Sequence, residues 1–180
     1  MKERAPKRLE SDALWAYALK LLSGRARSSG ELRQKLRLRA QKADDIDPLL
    51  VRLKELGYLD DRKFAEGFAS ARLSGEKFGR TRVIRDLRQR RVAPAVAENT
   101  VAKVYEGVDE AAMIEEWIRK KYRLAPREAF LKEDKDLASA YRRLSNAGFR
   151  SGDIIRVLKR FAQNPDLLDS FEPPEPAEPE

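Results

Sequence analysis

The sequence contains no cysteine and no histidine among its 180 residues. Their absence excludes disulfides and thiol nucleophiles, and it removes imidazole bases and the commonest zinc ligands. No apolar run is long enough to span a bilayer, and the N-terminal stretch MKERAPKRLE lacks the apolar core of a secretory signal. We therefore expect a cytoplasmic protein that has no membrane segment, no metal and no cofactor.

Strand-length runs of β-branched residues are also absent, whereas charged residues make up 38% of the chain. This composition favours an all-α fold. Lys and Arg outnumber Asp and Glu by 38 to 30, which gives a net charge of +8. Such an excess attracts polyanions with a strong salt dependence, although a solvated surface that improves solubility explains it equally well.

Helix-start signals recur at a constant spacing. Ser11, Asp60 and Asp109 each precede an amphipathic stretch, and the two intervals between them are both 49 residues. This period accommodates three helices with short turns, which is typical of repeat proteins. We predict three tandem three-helix repeats stacked into an elongated, curved right-handed array. The predicted ranges are a basic N-terminal extension at 1–10, repeats at 11–59, 60–108 and 109–164, and an acidic, Pro-rich disordered tail at 165–180.

Capping residues and apolar periodicity predict the individual helices. Ser28 and Glu31 fit a capping box, Asp47 fits an N-cap before Pro48, and Ser151 fits a cap of the last helix. The predicted helices are 12–23, 29–40, 47–56, 61–74, 79–91, 94–105, 109–122, 134–147 and 152–163, with Trp15, Phe64, Trp117, Tyr141 and Phe161 as packing anchors.

The stretch from residue 57 to 92 holds the most informative pattern. Gly57 suits the left-handed position just past a helix end, where Tyr58 and Leu59 can fold back onto the last turn. Asp60 or Asp61 can then accept hydrogen bonds from the first turn of the next helix. One helix thus ends and another begins within a few residues, as a repeat array requires.

This pattern resembles the RecX family, which regulates the RecA recombinase. The residues that carry the likeness, mainly structural in role, are Gly57, Tyr58, Leu59, Asp60, Asp61, Phe64, Ala65 and Arg72, followed by Gly79, Ile84 and Leu87. The segments 16–22, 141–144 and 154–159 extend the likeness to about residues 12–162. The chain departs from the family pattern at Arg80, Asp86 and Arg91, where Pro, Glu and Gly are usual.

The resemblance implies a regulator and not an enzyme. A RecX-like protein binds the RecA–DNA filament and inhibits the recombinase, ATPase and coprotease activities of RecA, which modulates DNA recombination, DNA repair and the SOS response. An alternative is a helical-repeat protein that binds nucleic acid directly and acts through DNA. The expected partners are the RecA filament and single- or double-stranded DNA, without a membrane, and we expect a monomer.

Basic helices supply the candidate binding residues. On the helix at 79–91, Val83, Ile84 and Leu87 form the predicted buried stripe, which directs Arg82 and Arg85 to the opposite face. Arginine binds carboxylates and phosphates alike. Each residue alone is better explained as an ordinary surface charge, and only the set spread over the three repeats indicates an extended binding face. The candidate partner- or DNA-binding residues are Lys77, Arg80, Arg82, Arg85, Arg33, Arg37, Arg142, Arg143 and Arg156.

The segment GEKFGRT at 75–81 is similar to a phosphate-binding loop but does not fit one. The gap between its glycines is one residue short, Arg80 replaces the required Lys, and a predicted helix precedes it instead of a strand. We therefore predict no nucleotide site. No organised acid–base pair occurs elsewhere, so we predict no catalytic, cofactor-binding or metal-binding residues.

Overall fold

The computed structural model describes residues 8–122 and 134–162. In these two ranges the chain forms nine α-helices, a 3₁₀ turn at Ala43–Asp45 and a π-helical turn at Arg72–Glu76, and it forms no β-strand. The predicted all-α fold is confirmed. The helices are α1 (Ser11–Gly24), α2 (Ser29–Arg37), α3 (Ile46–Glu55), α4 (Asp61–Ala71), α5 (Arg80–Gln89), α6 (Pro94–Val104), α7 (Glu110–Tyr122), α8 (Asp134–Asn146) and α9 (Ser151–Leu158).

Most of the predicted N-terminal extension, the loop at 123–133 and the predicted tail lie outside the described residues. The predicted repeat boundaries at residues 59/60 and 108/109 each fall between two observed helices. The division into three repeats remains a prediction.

Aspartate caps begin two of the helices in the same way. The Asp60 carboxylate accepts hydrogen bonds from the N–H groups of Arg62 and Lys63 at 2.9 and 3.0 Å. Asp109 repeats this arrangement 49 residues later at the start of α7, with N–H···O distances of 3.0 and 3.1 Å. The hydrogen bonds to Asp60, chiefly that from Lys63, lower the pKa of its carboxyl. Both caps satisfy N–H groups that have no partner within their own helix.

Two other predicted caps are wrong, although both helix starts lie within one residue of the prediction. Ser11 is the first residue of α1, and Glu10 before it makes no side-chain cap. Helix α3 begins at Ile46 because the 3₁₀ turn at 43–45 leads directly into it, so Asp47 is a first-turn residue and not the cap. A polar residue of capping type therefore marks the approximate start of these helices without acting as the cap.

Helix α2 ends three residues earlier than predicted. The N–H groups of Arg39 and Ala40 both donate to the Leu36 carbonyl, at 2.9 and 2.7 Å, which closes the helix in a tight turn. Ala40 then forms an isolated parallel bridge with Leu9. Helix α9 likewise ends at Leu158 in bonds of the shorter 3₁₀ type.

The chain divides into two compact units. The first comprises Met1–Ala71 and Ile84–Val104, and the second comprises Arg72–Val83 and Tyr105–Glu180. The residues of α5 are therefore divided between the units at Val83 and Ile84.

Leucine dominates the core of the first unit. Leu14 of α1, Leu32 and Leu36 of α2, and Leu53 of α3 have no exposed surface. Trp15, a predicted anchor, is only half-buried, and its ring lies 4.6 Å from the guanidinium carbon of Arg52. Small residues line the facing helices α4 and α6, which pack together; Ala65, Ala69, Ala97 and Val101 are fully buried.

Larger side chains fill the core of the second unit. Ile114 and Ile118 of α7 are completely buried, and the predicted anchors Tyr141 and Phe161 are 6% and 2% exposed. The Tyr141 hydroxyl lies 2.7 Å from the hydroxyl of Ser151. Ser151 is the first residue of α9 and not its cap, because its side chain contacts Tyr141 instead of the helix backbone.

In the first unit, the start of α2 is packed directly against the end of α5. A methyl group added to Gly30 would overlap the backbone carbonyl and Cβ of Arg91, so only glycine fits there. Ser28 donates its hydroxyl to the carbonyl of Arg90. The first N–H of α2 donates to a carboxylate oxygen of Asp61 at 2.6 Å. Arg91 itself has a φ of 59°, a left-handed conformation that favours glycine over residues with a Cβ.

The second unit contains the same kind of helix junction. The N–H groups of Gly79 and Thr81, at the start of α5, donate to the carbonyls of Ala147 and Gly148 at 2.9 and 3.1 Å. A methyl group on Gly79 would overlap the Gly148 backbone. The first N–H of α5 donates to the carboxylate of Glu110 at 3.0 Å. Gly79 and Glu110 thus stand 49 residues after Gly30 and Asp61, which are their counterparts in the first unit.

We predict that Gly79→Ala lowers the free energy of unfolding by about 1–3 kcal/mol, because backbone atoms surround the missing Cβ and cannot rotate away. The control is Gly67→Ala in the middle of α4, where a Cβ meets nothing within 4 Å. That change should stabilise the protein by about 0.5–1 kcal/mol. Urea unfolding should show a lower free energy of unfolding for Gly79→Ala and a higher one for Gly67→Ala than for the wild type. Equal changes in the two variants would contradict the prediction.

Candidate partner-binding surface

Glu110 is the one buried carboxylate among the described residues, with 5% of its surface exposed. It accepts hydrogen bonds from the backbone N–H and the guanidinium of Arg80. The same guanidinium lies 5.8 Å from the ring centroid of Tyr105. Burial, reinforced by the charge of Glu110, raises the pKa of Tyr105, which keeps its hydroxyl neutral as the donor of a 2.6 Å bond to the Phe78 carbonyl.

Arg80, a predicted partner-binding residue, therefore has an internal role. Its guanidinium neutralises Glu110, and Glu110 in turn caps the start of α5. We expect Arg80 to stabilise the second unit more than it contributes to any partner contact.

The other two predicted cations of the second unit near α5, Lys77 and Arg82, differ in their exposure to solvent. Lys77 has a φ of 53°, is exposed, and forms an ion pair with Glu116 that lowers the pKa of the Glu116 carboxyl. The guanidinium carbon of Arg82 lies 3.9 Å from the centroid of the Phe78 ring. Its Nη1 donates to the carbonyl of Asn146 at 3.1 Å. Arg82 is half-buried instead of facing fully outward, because it packs on this ring.

In the first unit, Arg85 is exposed on α5, as the predicted stripe requires. Arg33 is half-buried and forms an ion pair with Asp47. Arg37 is exposed at the end of α2 and makes no ion pair with any described residue. Arg37 is therefore available to an external anion.

The predicted cations of α8 and α9 also comprise residues without an ion pair and one residue with an ion pair. Arg142 and Arg143 are exposed and have no ion-pair partner in the described ranges. Arg156 pairs with Asp153 at 2.5 Å. Arg143 and Arg82 line one pocket on the second unit, so the structure brings these two predicted residues together.

The residues of the family signature form local structure. The predicted fold-back onto α3 is confirmed for the backbone, since the Tyr58 N–H donates to the Leu53 carbonyl at 2.9 Å. The Tyr58 side chain is nevertheless 57% exposed, whereas Leu59 is buried. Phe64 stacks on Phe68 with ring centroids 6.3 Å apart. Arg72 pairs with Glu76 in the π-helical turn. These residues therefore form helix ends and packing contacts in the structure, and their role as a family signature stays a prediction.

Two glutamates organise the cations around them, a role that residue spacing alone does not indicate, although Glu31 was predicted as part of a capping box. One is Glu110, which the 49-residue period would have indicated as the counterpart of Asp61. The other is Glu31, whose carboxylate binds the guanidinium groups of Arg25 and Arg90, each at 3.1 Å. Burial acts to raise the pKa of Glu31, but its hydrogen bonds to the two arginines outweigh burial and lower it.

Within residues 8–122 and 134–162, no group of three acidic side chains could hold a metal ion. None of the helices in those ranges is both long and apolar enough to cross a bilayer.

The fold defines a class of protein: an all-helical chain with recurring helix junctions and cationic side chains on its surface. A family model described as the first three-helix domain of RecX matches residues 15–53. A second model, described as the second three-helix domain of RecX, matches residues 60–101.

Whole-chain relatives agree with these domain matches. The chain is 34% identical over 149 residues to the regulatory protein RecX of Chromobacterium violaceum, covering 83% of this chain and 91% of that protein. It is 30% identical over 162 residues to the regulatory protein RecX of Deinococcus radiodurans, covering 89% of this chain and 74% of the relative. The chain belongs to the RecX family.

A solved structure shows the same fold. The crystal structure of RecX from Lactobacillus salivarius superposes with a TM-score of 0.67 at 17% identity, covering 84% of this chain and 96% of that one.

We predict that Glu110→Ala lowers the free energy of unfolding by about 2–3 kcal/mol, because it leaves the Arg80 guanidinium and an N–H of α5 without an acceptor. The expected destabilisation is smaller than that of breaking a fully buried ion pair, because 24% of the Arg80 side chain is exposed to solvent. Glu116→Ala, which removes the exposed partner of Lys77, is the control and should leave the unfolding midpoint unchanged. Equal midpoint shifts would contradict the assigned roles.

We also predict that Glu31→Gln destabilises the protein at pH 7 by about 1 kcal/mol, because the charge on the partly buried carboxylate is lost. The lowered folded-state pKa of Glu31 means that the wild-type carboxylate adds stability above its unfolded pKa. That contribution disappears as the pH falls through the folded-state pKa. Urea unfolding at pH 7, 5 and 3 should show the difference between the two proteins shrinking as the pH falls, and a constant difference would refute the assignment.

Proposed function

We propose that this protein binds the RecA–DNA filament and lowers the recombinase, ATPase and coprotease activities of RecA. The observation that carries the proposal is its 34% identity to a regulatory protein RecX over 91% of that relative. In this role it modulates DNA recombination, DNA repair and the SOS response by binding and without turnover.

The distribution of cations supports binding through several weak contacts. Arg37 lies on the first unit, Arg142 and Arg143 on the second, and all three are exposed. Contacts that are weak alone gain effective concentration when one chain carries them, provided that its three proposed repeats at 11–59, 60–108 and 109–164 engage together. Because Arg80 is held internally by Glu110, we assign the partner contacts of the first unit to Arg37 and Arg85. We assign those of the second unit to Lys77, Arg142, Arg143 and Arg156.

The alternative is action through DNA, without contact to RecA. It is supported by the net charge of +8 and by arginines such as Arg37 and Arg142, which form no ion pair within residues 8–122 and 134–162. Direct action requires tight DNA binding in the absence of RecA, with an affinity that falls steeply as salt rises. Inhibition of RecA at salt concentrations where the isolated protein does not bind DNA would argue against this alternative.

We predict that the protein slows ATP hydrolysis by RecA on single-stranded DNA, because bound protein blocks filament extension or promotes disassembly. Unchanged hydrolysis at several-fold excess over RecA would contradict the proposed function. The charge reversal Arg37→Glu with Arg142→Glu should raise the concentration needed for half-inhibition several-fold, since neither side chain has an ion-pair partner among the described residues.

The matched control reverses Lys54 and Lys103, which are exposed in the last turns of α3 and α6. It makes the same change in net charge and should inhibit almost as well as the wild type. If both double variants weaken inhibition equally, overall charge and not a specific surface determines binding.

A further inference from the structure

A shallow pocket on the second unit combines cationic and aromatic side chains. It encloses about 460 Å³ and is lined by Phe78, Arg82, Trp117, Lys121 and Arg143, together with two residues at the end of α8. None of its lining residues is acidic. A concave site that holds three cations and two rings is chemically suited to an anion that also has a flat, aromatic part.

Each side of the pocket has a defined position in the fold. Trp117 and Lys121 are four residues apart on α7 and therefore share one face of that helix. Trp117 packs against the core of the unit but is not fully buried, whereas Lys121 is exposed. Arg143 extends from α8 and is also exposed. The aromatic surface is thus held in place, while the two cations can adjust to a ligand.

Arg82 is fixed at the opposite side. Its guanidinium lies over the ring of Phe78 and donates to the carbonyl of Asn146 at 3.1 Å. The carbonyls of Ala147 and Gly148, the two residues that follow α8, accept hydrogen bonds from N–H groups at the start of α5. The carbonyl groups that would repel an anion at this end of α8 are therefore already bonded within the unit.

We propose that this pocket is a binding site for single-stranded nucleic acid. A base stacks on the indole of Trp117, and the adjacent phosphates contact Lys121 and Arg143. Bases of a single strand have free faces for such stacking, whereas the bases of a duplex stack on one another. The carboxylates of an acidic peptide could pair with the three cations, but they would make no stacking contact with the Phe78 and Trp117 rings. The site goes beyond RecA regulation, and its test contains no RecA, so the two proposals can fail separately.

The two tryptophans of the chain make the stacking contact measurable. Trp15 belongs to the first unit and is remote in sequence from the pocket, so Trp15→Phe leaves Trp117 as the only indole fluorophore of the full-length protein. Oligothymidylate added to this variant should quench the Trp117 emission in a saturable way. A duplex of the same length should quench it much less.

Charge variants in the Trp15→Phe background identify the cations. Lys121→Glu with Arg143→Glu should weaken oligothymidylate binding about tenfold or more, while the control reversal of Lys54 and Lys103 should change it by less than about threefold. Replacing Lys121 and Arg143 by Ala should reduce the slope of log affinity against log salt by roughly 1.4, since each lost phosphate contact on a single strand removes about 0.7.

Four results would overturn the proposal. Oligothymidylate could fail to bind, or it could bind without changing the Trp117 emission. The control reversal could lower the affinity as much as the Lys121 and Arg143 reversal does. Finally, poly-glutamate could quench Trp117 equally well, with the same dependence on Lys121 and Arg143. The last result would reassign the pocket to an acidic protein segment.

Discussion

Direct contact between helix ends is the constraint on which the rest of this structure depends. At each junction a helix starts so close to the end of another that no Cβ can be placed between them, and Gly30 and Gly79 occupy these two positions. The close approach allows N–H groups of the starting helix to bond to carbonyls or carboxylates nearby. Since each helix end must otherwise be satisfied by water or a side chain, these junctions determine which helices can be neighbours within a unit.

The junctions also explain why charged residues are used so unequally. Carboxylates of Asp61 and Glu110 bind the starts of α2 and α5, and Glu110 is buried enough to require Arg80 as a counter-ion. Glu31 holds two further arginines beside the first junction. A substantial part of the basic composition therefore serves the fold. The cations that remain for a partner are those on outer helix faces, such as Arg37 and Arg142.

Local signals were sufficient to predict most of the fold. The caps at Asp60 and Asp109 are read from residue type and spacing, because each satisfies N–H groups two or three residues away. Ser11 and Asp47 were misassigned because a short polar residue before a helix is compatible with several starting positions. The fold-back after Gly57 is read from the same kind of local signal, and the Tyr58 N–H does bond to the last turn of α3. An aromatic residue at a turn does not by itself specify burial, however, and Tyr58 is 57% exposed.

Long-range contacts determine what could be predicted of the candidate surface. The helical period correctly directs Arg85 outward, but it cannot show that Arg80 meets a carboxylate 30 residues later or that Arg82 packs on Phe78. The same limit applies to the pocket, which combines side chains from α5, α7 and α8 and from the turn before α5. Residue type identified Arg82 and Arg143 as candidates, whereas Trp117 had been predicted only as a packing anchor.

The helix junctions have a consequence for how this family can diverge. A contact formed by main-chain atoms depends on a glycine and on the path of the backbone, and it is insensitive to the side chains on the outer helix faces. Substitutions on those faces can therefore accumulate without altering the architecture, and a crystal structure with only 17% sequence identity shares this fold with a TM-score of 0.67. Evolution can retune the affinity for a partner in this way while the scaffold stays the same.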